Sequence, residues 1–409
     1  MFGGIQMKRI LHIISQYPGN TGSGTYLQAT IRELNKKSYI QGLIAGIHSD
    51  NESYPRYIGN FYPLKFNSID IPFPIVGMSD IMPYESIKYS DLTEDMMLKW
   101  KSEFRKVIER ALEEFKPDII ITHHLWIITS LIKNIAPNIK TIGVCHGTDI
   151  RQFENCPQYR QEVLQGCQQL DVTLALSEQQ KIMINQLYNI SLDRIKVIGG
   201  GYNGEVFYPK VKNILDDEIK IIYAGKLSYA KGVVSLIKVF EKLVSKYDVK
   251  LQLAGKGTGE EEIYIKRLGY KLGSKIEFLG ELNQENLGRT FREADIFVMP
   301  SFYEGLSLVT IEALASGLFI VSTSIPGLIS YLGDDINDNG IIEYVDLPEM
   351  IKVDKPLEED LPLFHSRLQI KIEKQIARLK DGFIMDEGVV SKIKELSWEN
   401  IIRKIERNF

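Results

Sequence analysis

Short apolar runs alternate along this chain with longer stretches whose apolar positions recur at helical spacing. "RILHIIS" (9–15), "QGLIAGIH" (41–48), "PDIIITHH", "TIGVCHG", "VTLALS" and "IKVIGGG" read as strands. "LQATIRELNKK" and "EDMMLKWKSEFRKVIERALEEFK" read as amphipathic helices between them. After a junction near "GYNGEVFYPKVKNILDDE" (201–218) the alternation restarts with "IKIIYAG" (219–225), the helix "VVSLIKVFEKLVSKY", and the strands "VKLQLAG", "KIEFLG", "ADIFVMP" and "LFIVSTS". This pattern predicts an α/β protein with two doubly wound parallel sheets. Ligands of such sheets bind beyond the carboxyl ends of the strands, so the loops there are where chemistry is expected. Residues 49–95 break the rhythm with five prolines and many aromatics. That length exceeds a plain connector and predicts a functional loop region.

Size and charge narrow the picture. A chain of 409 residues exceeds one ordinary core, so two domains are expected. The 49 basic and 53 acidic residues are interspersed and leave a net charge of −4, which gives no support for a nucleic-acid binder. No apolar run approaches the roughly 18 residues that span a bilayer. The leader-like "MFGGIQ" ahead of Met7 runs straight into strand pattern without a small-residue cleavage site, so no signal peptide is expected. Cys145, Cys156 and Cys167 are too widely spaced for a zinc pair and odd in number, and reduced thiols in a cytoplasmic protein are expected.

Four loops carry candidate chemistry. In "PGNTGSGTY", Gly22, Ser23 and Gly24 follow the first strand, where backbone N–H groups at a helix start can approach an anion; a plain turn explains the loop equally. "AGKLSYAKGV" places Lys226 and Lys231 beside Gly225 and Gly232, two ammonium groups suited to a departing diphosphate, or simply solvated lysines. In "VMPSFYEGLSLVTIEALASG", Glu304 sits at a strand mouth, and Gly305 with Ser307 is expected to start a helix that Gly317 ends. Glu312 follows about a turn and a half into that helix. The amides of Gly305, Leu306 and Ser307 can meet a phosphate, whereas carboxylates such as Glu304 and Glu312 accept hydrogen bonds from vicinal hydroxyls. In "CHGTDIRQF", His146 and Asp149 lie beyond a strand end, and His146 is read as a ligand contact. His123 and His124 are read instead as core histidines satisfied by backbone.

In this order, the glycine loop, "CHGTD", "GKLSYAKG", "LAGKGTGEEE", "FLGELNQENL" and the paired glutamates of "FYEGLSLVTIEALASG" resemble the retaining glycosyltransferases of family 4. The resemblance covers most of the chain. It implies the GT-B fold: two Rossmann-like domains facing across a cleft, residues 1–205 on the acceptor side and 206–385 binding the donor. Residues 386–409 would hold a helix returning to the N-terminal domain, with Trp398, Ile401, Ile402 and Ile405 on its buried face. Glu312 would hold the ribose hydroxyls of a nucleoside-diphosphate sugar, and Glu304 hydroxyls of the transferred sugar. Gly305, Leu306 and Ser307 would give amides around sugar and diphosphate, while Gly22 and Gly24 close on the diphosphate. His146 would contact the donor sugar, commonly at its 6-hydroxyl, and "FLGELNQ" would seat the base. Where the family usually has arginine this chain has Lys226, which lacks bidentate phosphate geometry and leaves Lys231 the surer ligand. Residues 328–365 depart from the family pattern and yield no site residue.

The resulting expectation is transfer of a hexose-type sugar from a UDP- or GDP-sugar to an acceptor hydroxyl, with retention and domain closure over the donor. No Asp-x-Asp metal motif is evident, so neither a metal nor another cofactor is expected. A cytoplasmic site of action follows, with peripheral membrane contact left open. The loop "DIPFPIVGMSDIMPYESIKYSDL" is the candidate for shaping the acceptor site, with Phe73 and Tyr84 either stacking on sugars or packing inside. The alternatives are a nucleotide-sugar epimerase of the same fold and a non-catalytic, transferase-like partner subunit.

Overall fold

Isoleucine- and leucine-rich runs settle where both faces of a strand are covered, and here they build two parallel sheets. The structure is a computed structural model that describes residues 7–19, 21–50, 56–79, 82–209, 218–304, 306–352 and 354–409. Residues up to Gly199 together with Ile401–Phe409 pack as one unit, and Gly200–Asn400 as a second.

The first unit holds a seven-stranded sheet. Its spatial order is Asn60–Phe66, Ile40–His48, Arg9–Ile14, Ile119–His123, Lys140–Val144, Val172–Ala175 and Ile195–Val197. The order reverses between Arg9–Ile14 and Ile119–His123, so the loops following these two strands flank a topological switch point. Helix Glu94–Phe115 shows how the sequence secures the sheet. Thr93 caps it, its hydroxyl accepting from Met96 N–H at 3.2 Å, and Glu94 and Asp95 complement the dipole of the first turn. Met97, Trp100, Phe104, Ile108, Ala111 and Phe115 form its buried stripe.

Two expectations for residues 49–95 are corrected. "NFYPLKF" is a strand, Asn60–Phe66, parallel to Ile40–His48. Pro63 is tolerated because this strand lies at the sheet edge, where one side of its backbone has no ladder to join. Much of the apolar and aromatic content that read as loop is also internal, whereas Pro72 and Pro83 are exposed. Ile71, Phe73, Ile75, Val76, Met78 and Tyr89 are buried in the same core as Trp100 and Phe104. Phe73 packs against Phe66 with ring centroids 6.2 Å apart and is a core residue, not a sugar platform.

The second unit has six parallel strands in the order Ile276–Gly280, Val249–Ala254, Ile219–Ala224, Ile296–Met299, Phe319–Thr323 and Ile342–Val345. Its switch point falls between Ile219–Ala224 and Ile296–Met299, whose following loops carry the two lysines and Glu304. In the stretch without family pattern, Ile342–Val345 completes the sheet, and Met350–Lys352 pairs antiparallel with Lys355–Pro356 ahead of helix Leu361–Lys380. That helix docks through the buried Gln375 amide, which donates to the carbonyls of Ile320 and Ile341 at 3.0 Å each. At the C-terminus, Trp398, Ile401, Ile402 and Ile405 are buried, as their helical spacing predicts. Among the described residues no helix is long and apolar enough to cross a membrane, and all three cysteines are buried free thiols.

Candidate functional site

In the second unit, two glycines hold the lysine loop against the neighbouring strand end. Gly225 leaves strand Ile219–Ala224 at φ 154, and Gly232 has φ 66 with a Cβ position only 2.0 Å from Pro300 O. No other residue fits at Gly232, which lets the loop lie on residues 300–302, where Phe302 N–H donates to Ala230 O at 3.0 Å. Lys231 is thereby delivered to Glu304, with Nζ 2.7 Å from Oε1. Both side chains keep some exposure, 29% and 18%. Lys226 is close enough to feel Lys231: burial lowers its pKa, Glu261 opposes that, and repulsion from Lys231 adds to it. Two cations and one carboxylate therefore share one corner, with the carboxylate holding Lys231 across 73 residues of chain.

The helix expected to begin at Gly305 begins later, at Leu308, and runs to Ala315. Ser307 is its N-cap residue, but its hydroxyl accepts from Thr310 Oγ1 at 2.8 Å and caps no backbone amide. The N–H groups of Leu306 and Ser307 precede the helix and have no partner among the described residues. Gly305 lies outside the described residues. Glu312 consequently sits about one turn into the helix, 5% exposed, with Gln284 Nε2 donating to its Oε1 at 3.1 Å. Burial pushes its pKa up to about 8. Gln284 opens helix Gln284–Glu293 just after strand Ile276–Gly280; it belongs to the segment read as seating a base, and its bond to Glu312 was invisible in the sequence.

A stability prediction follows from Glu312. A carboxyl held above its ordinary 4.5 binds more protons folded than unfolded, so it loses stability as pH rises from about 4.5 to about 8. Glu312→Gln is expected to raise the melting temperature of the ligand-free protein at pH 8 and leave it nearly unchanged at pH 4.5. A parallel melting series at the two pH values checks this, and equal effects at both would refute it.

In the first unit, the glycine loop is only partly available to a ligand. Thr21 caps helix Gly22–Asn35 by accepting from Gly24 N–H at 3.0 Å, so the expected Gly24 donor is already used. Gly24 is needed for packing instead, since a Cβ there would lie 2.2 Å from Gly19 O. Gly22 is exposed, and Ser23 is buried with Oγ accepting from Gln16 Nε2 at 3.0 Å. The N–H groups of these two residues have no partner among the described residues.

His146 lies beyond strand Lys140–Val144 and is partly exposed. Its Nε2 is 3.0 Å from Nδ1 of His123, and Tyr26 and His124 flank its ring. His123 and His124 are thus side-chain partners of the candidate ligand residue, which corrects their reading as backbone-satisfied core. Burial lowers the pKa of His12 to about 4 and of His124 to about 3, and holds His123 and His146 well below the usual range, so all four rings are neutral at pH 7. Asp149 is fully buried and accepts from the N–H groups of Leu125 at 2.9 Å and His146 at 3.1 Å, a loop-fastening role.

Comparison with known proteins agrees with this layout. Residues 206–353 match the family described as "Glycosyl transferases group 1", and residues 88–205 match "Glycosyltransferase Family 4". An uncharacterized glycosyltransferase of Methanocaldococcus jannaschii is 31% identical over 235 residues, 53% of this chain and 58% of the relative. A second from the same organism is 24% identical over 73% of this chain and 80% of its own length. The chain thus spans less than two thirds of the first relative. Among solved structures, a sucrose-phosphate synthase from Thermosynechococcus elongatus has a TM-score of 0.70 at 15% identity, covering 98% of both chains. Anabaena HepE in complex with UDP and glucose has a TM-score of 0.66 at 15% identity, covering 98% of this chain and 99% of its own. With both halves matched in succession and the fold shared over nearly the whole length, this chain belongs to the family 4-like glycosyltransferases of GT-B fold.

Proposed function

We propose that the protein is a retaining glycosyltransferase that moves a hexose-type sugar from a nucleoside-diphosphate sugar, with UDP or GDP as carrier, to an acceptor hydroxyl. The observation that carries this is the corner of the second unit where Lys226, Lys231 and Glu304 meet at the sheet's switch point. Breaking the bond between the anomeric carbon and the diphosphate oxygen develops negative charge on the leaving group and positive charge on the sugar. The lysines and the Leu306 and Ser307 amides stabilise the first. Glu304 accepts from a sugar hydroxyl, and Glu312, with one oxygen bound by Gln284, accepts from the ribose. The first unit offers His146 to a hydroxyl and the Gly22 and Ser23 amides to an anion. The acceptor oxygen bonds to the anomeric carbon on the face the diphosphate leaves, and its proton passes to the departing phosphate oxygen.

Two cations at the leaving group can replace a divalent ion, so the reaction is proposed to need no metal or other cofactor. The three buried free thiols accord with work in a reducing cytoplasm. A thermal-shift screen of UDP-, GDP- and ADP-sugars tests the reading, because a ligand bound only to the folded protein raises its melting temperature. One nucleotide class is expected to shift it and to be consumed when acceptors are supplied. If no nucleotide sugar shifts the transition or is turned over, the reading fails; loss of turnover in chelator, restored by magnesium, removes its metal-free part.

A further inference from the structure

Four histidines gather where neighbouring strands of the first unit end: His12 within Arg9–Ile14, His123 and His124 at the end of Ile119–His123, and His146 beyond Lys140–Val144. Only His146 has a role in the reading above. His123 is fully buried, its ring lies within 12° of parallel to that of His146, and its Nδ1 is 3.0 Å from His146 Nε2. We infer that His123 is a positioning residue: its Nδ1–H donates to His146 Nε2, so His146 carries its own proton on Nδ1 and presents that N–H to an oxygen of the ligand.

The places available to the protons decide the direction of this bond. Each neutral imidazole has one N–H and one lone pair, and the contact needs one of each. If His146 were the donor, the His123 proton would sit on Nε2. That atom is buried and has no partner among the described residues. A buried N–H without an acceptor is rarer and costlier than a buried acceptor left unused. His12 offers no rescue, because its ring centroid is 6.5 Å from that of His123 and its Nδ1 makes no hydrogen bond to His123 Nε2. Gln41 commits its amide nitrogen to Ile31 O at 3.0 Å, so its Oε1 faces His12 and takes the Nε2–H at 3.0 Å. His12 therefore keeps a lone pair on Nδ1, which is likewise buried without a partner. Both orphaned nitrogens are then acceptors, the cheaper outcome. The arrangement also holds the His146 ring still, between hydrogen-bonded His123 and Tyr26 at 5.3 Å, with its backbone N–H tied to Asp149.

His146 Nδ1 has no protein partner among the described residues. A neutral N–H there adds direction without charge, which suits a hydroxyl oxygen better than a diphosphate. The identity of that hydroxyl as a sugar's rests on the function proposed above; the proton placement does not.

Two measurements test the inference on the full chain. Long-range proton–nitrogen NMR of histidine-labelled protein at neutral pH reads the tautomer of His146 directly. Protonated Nδ1 and bare Nε2 are expected, and the reverse pattern overturns the inference whatever the enzyme does. His123→Phe removes the donor, and His123→Asn returns an amide N–H near the same point. With a nucleotide sugar that the parent consumes, His123→Phe is expected to lower kcat/KM by about tenfold, the worth of one hydrogen bond to the reacting ligand, with His123→Asn recovering most of it. Nucleoside-diphosphate affinity should be equal in all three. Equal losses in both variants, with the His146 tautomer unchanged in His123→Phe, overturn the positioning role. A parent that consumes no nucleotide sugar sinks the proposed function instead and leaves the NMR result to decide the tautomer.

Discussion

Lys231→Ala is expected to lower kcat/KM for sugar transfer by about a hundredfold or more, the scale of losing a preorganised electrostatic partner of a leaving group. Lys226 does not compensate, because burial already disfavours its charged form and it is Lys231 that holds the position beside Glu304. The ion pair at 2.7 Å makes a second, opposite result available. In the ligand-free protein Glu304 occupies the ammonium that a diphosphate would take, so binding must exchange one anion for another. Glu304→Gln keeps the shape but removes that competition. It should bind free nucleoside diphosphate more tightly than the parent while losing sugar transfer, because the hydroxyl acceptor is weakened. Calorimetric titration with the free nucleotide and steady-state kinetics with the sugar nucleotide separate the two effects. The assignment fails if Lys231→Ala keeps kcat/KM within about threefold of the parent, less than one good hydrogen bond is worth. The two sites should also be strongly non-additive in a double-mutant cycle, since they touch.

The second large effect is on stability. Glu343, 6% exposed on strand Ile342–Val345, faces Lys371 at 2.8 Å, Lys374 at 2.6 Å and Arg378 at 2.6 Å on helix Leu361–Lys380. Burial alone would raise its pKa, but the three hydrogen-bonded cations outweigh it and hold the group at about 2. Glu343→Gln leaves those cations converging on a neutral amide. Because each of them is partly exposed, about 2 kcal/mol is expected, below the 3–5 typical of a fully buried broken pair. For a unit of this size that corresponds to a melting temperature roughly 4–8 °C lower. The sign with pH follows from the depressed value. The carboxylate's contribution is fully present above about 4.5 and is lost as pH falls from there toward about 2. The parent should therefore destabilise more steeply than the variant across that acid window. Parallel slopes would show that the cluster is not what fastens this helix.

The second unit's chemistry was unusually legible before folding. Glycines beside Lys226 and Lys231, and a glutamate at a strand mouth, are local signals, because turns that deliver a side chain to a strand end need particular backbone freedom. The strands themselves announce burial by composition. Where that correspondence weakened, a nonlocal cause is visible. Asn60–Phe66 carries a proline that only an edge position accommodates, and edge position is a property of the sheet order, not of the seven residues. Phe73 and its neighbours resembled a surface loop until Phe66 and Trp100 supplied the core around them.

By itself, the sequence determined the class of fold, the two alternating halves, the buried stripe of the last helix and the identity of the charged loops, since periodicity and turn chemistry are set by neighbours in the chain. Only the tertiary structure decided which of those groups are spoken for. Thr21 claims the Gly24 amide, Glu304 claims Lys231 across 73 residues, Gln284 takes one oxygen of Glu312, and His123 takes the inner nitrogen of His146. Hydrogen bonds and ion pairs act over about 3 Å, and distances on that scale between remote residues exist only once the strands have been brought into order.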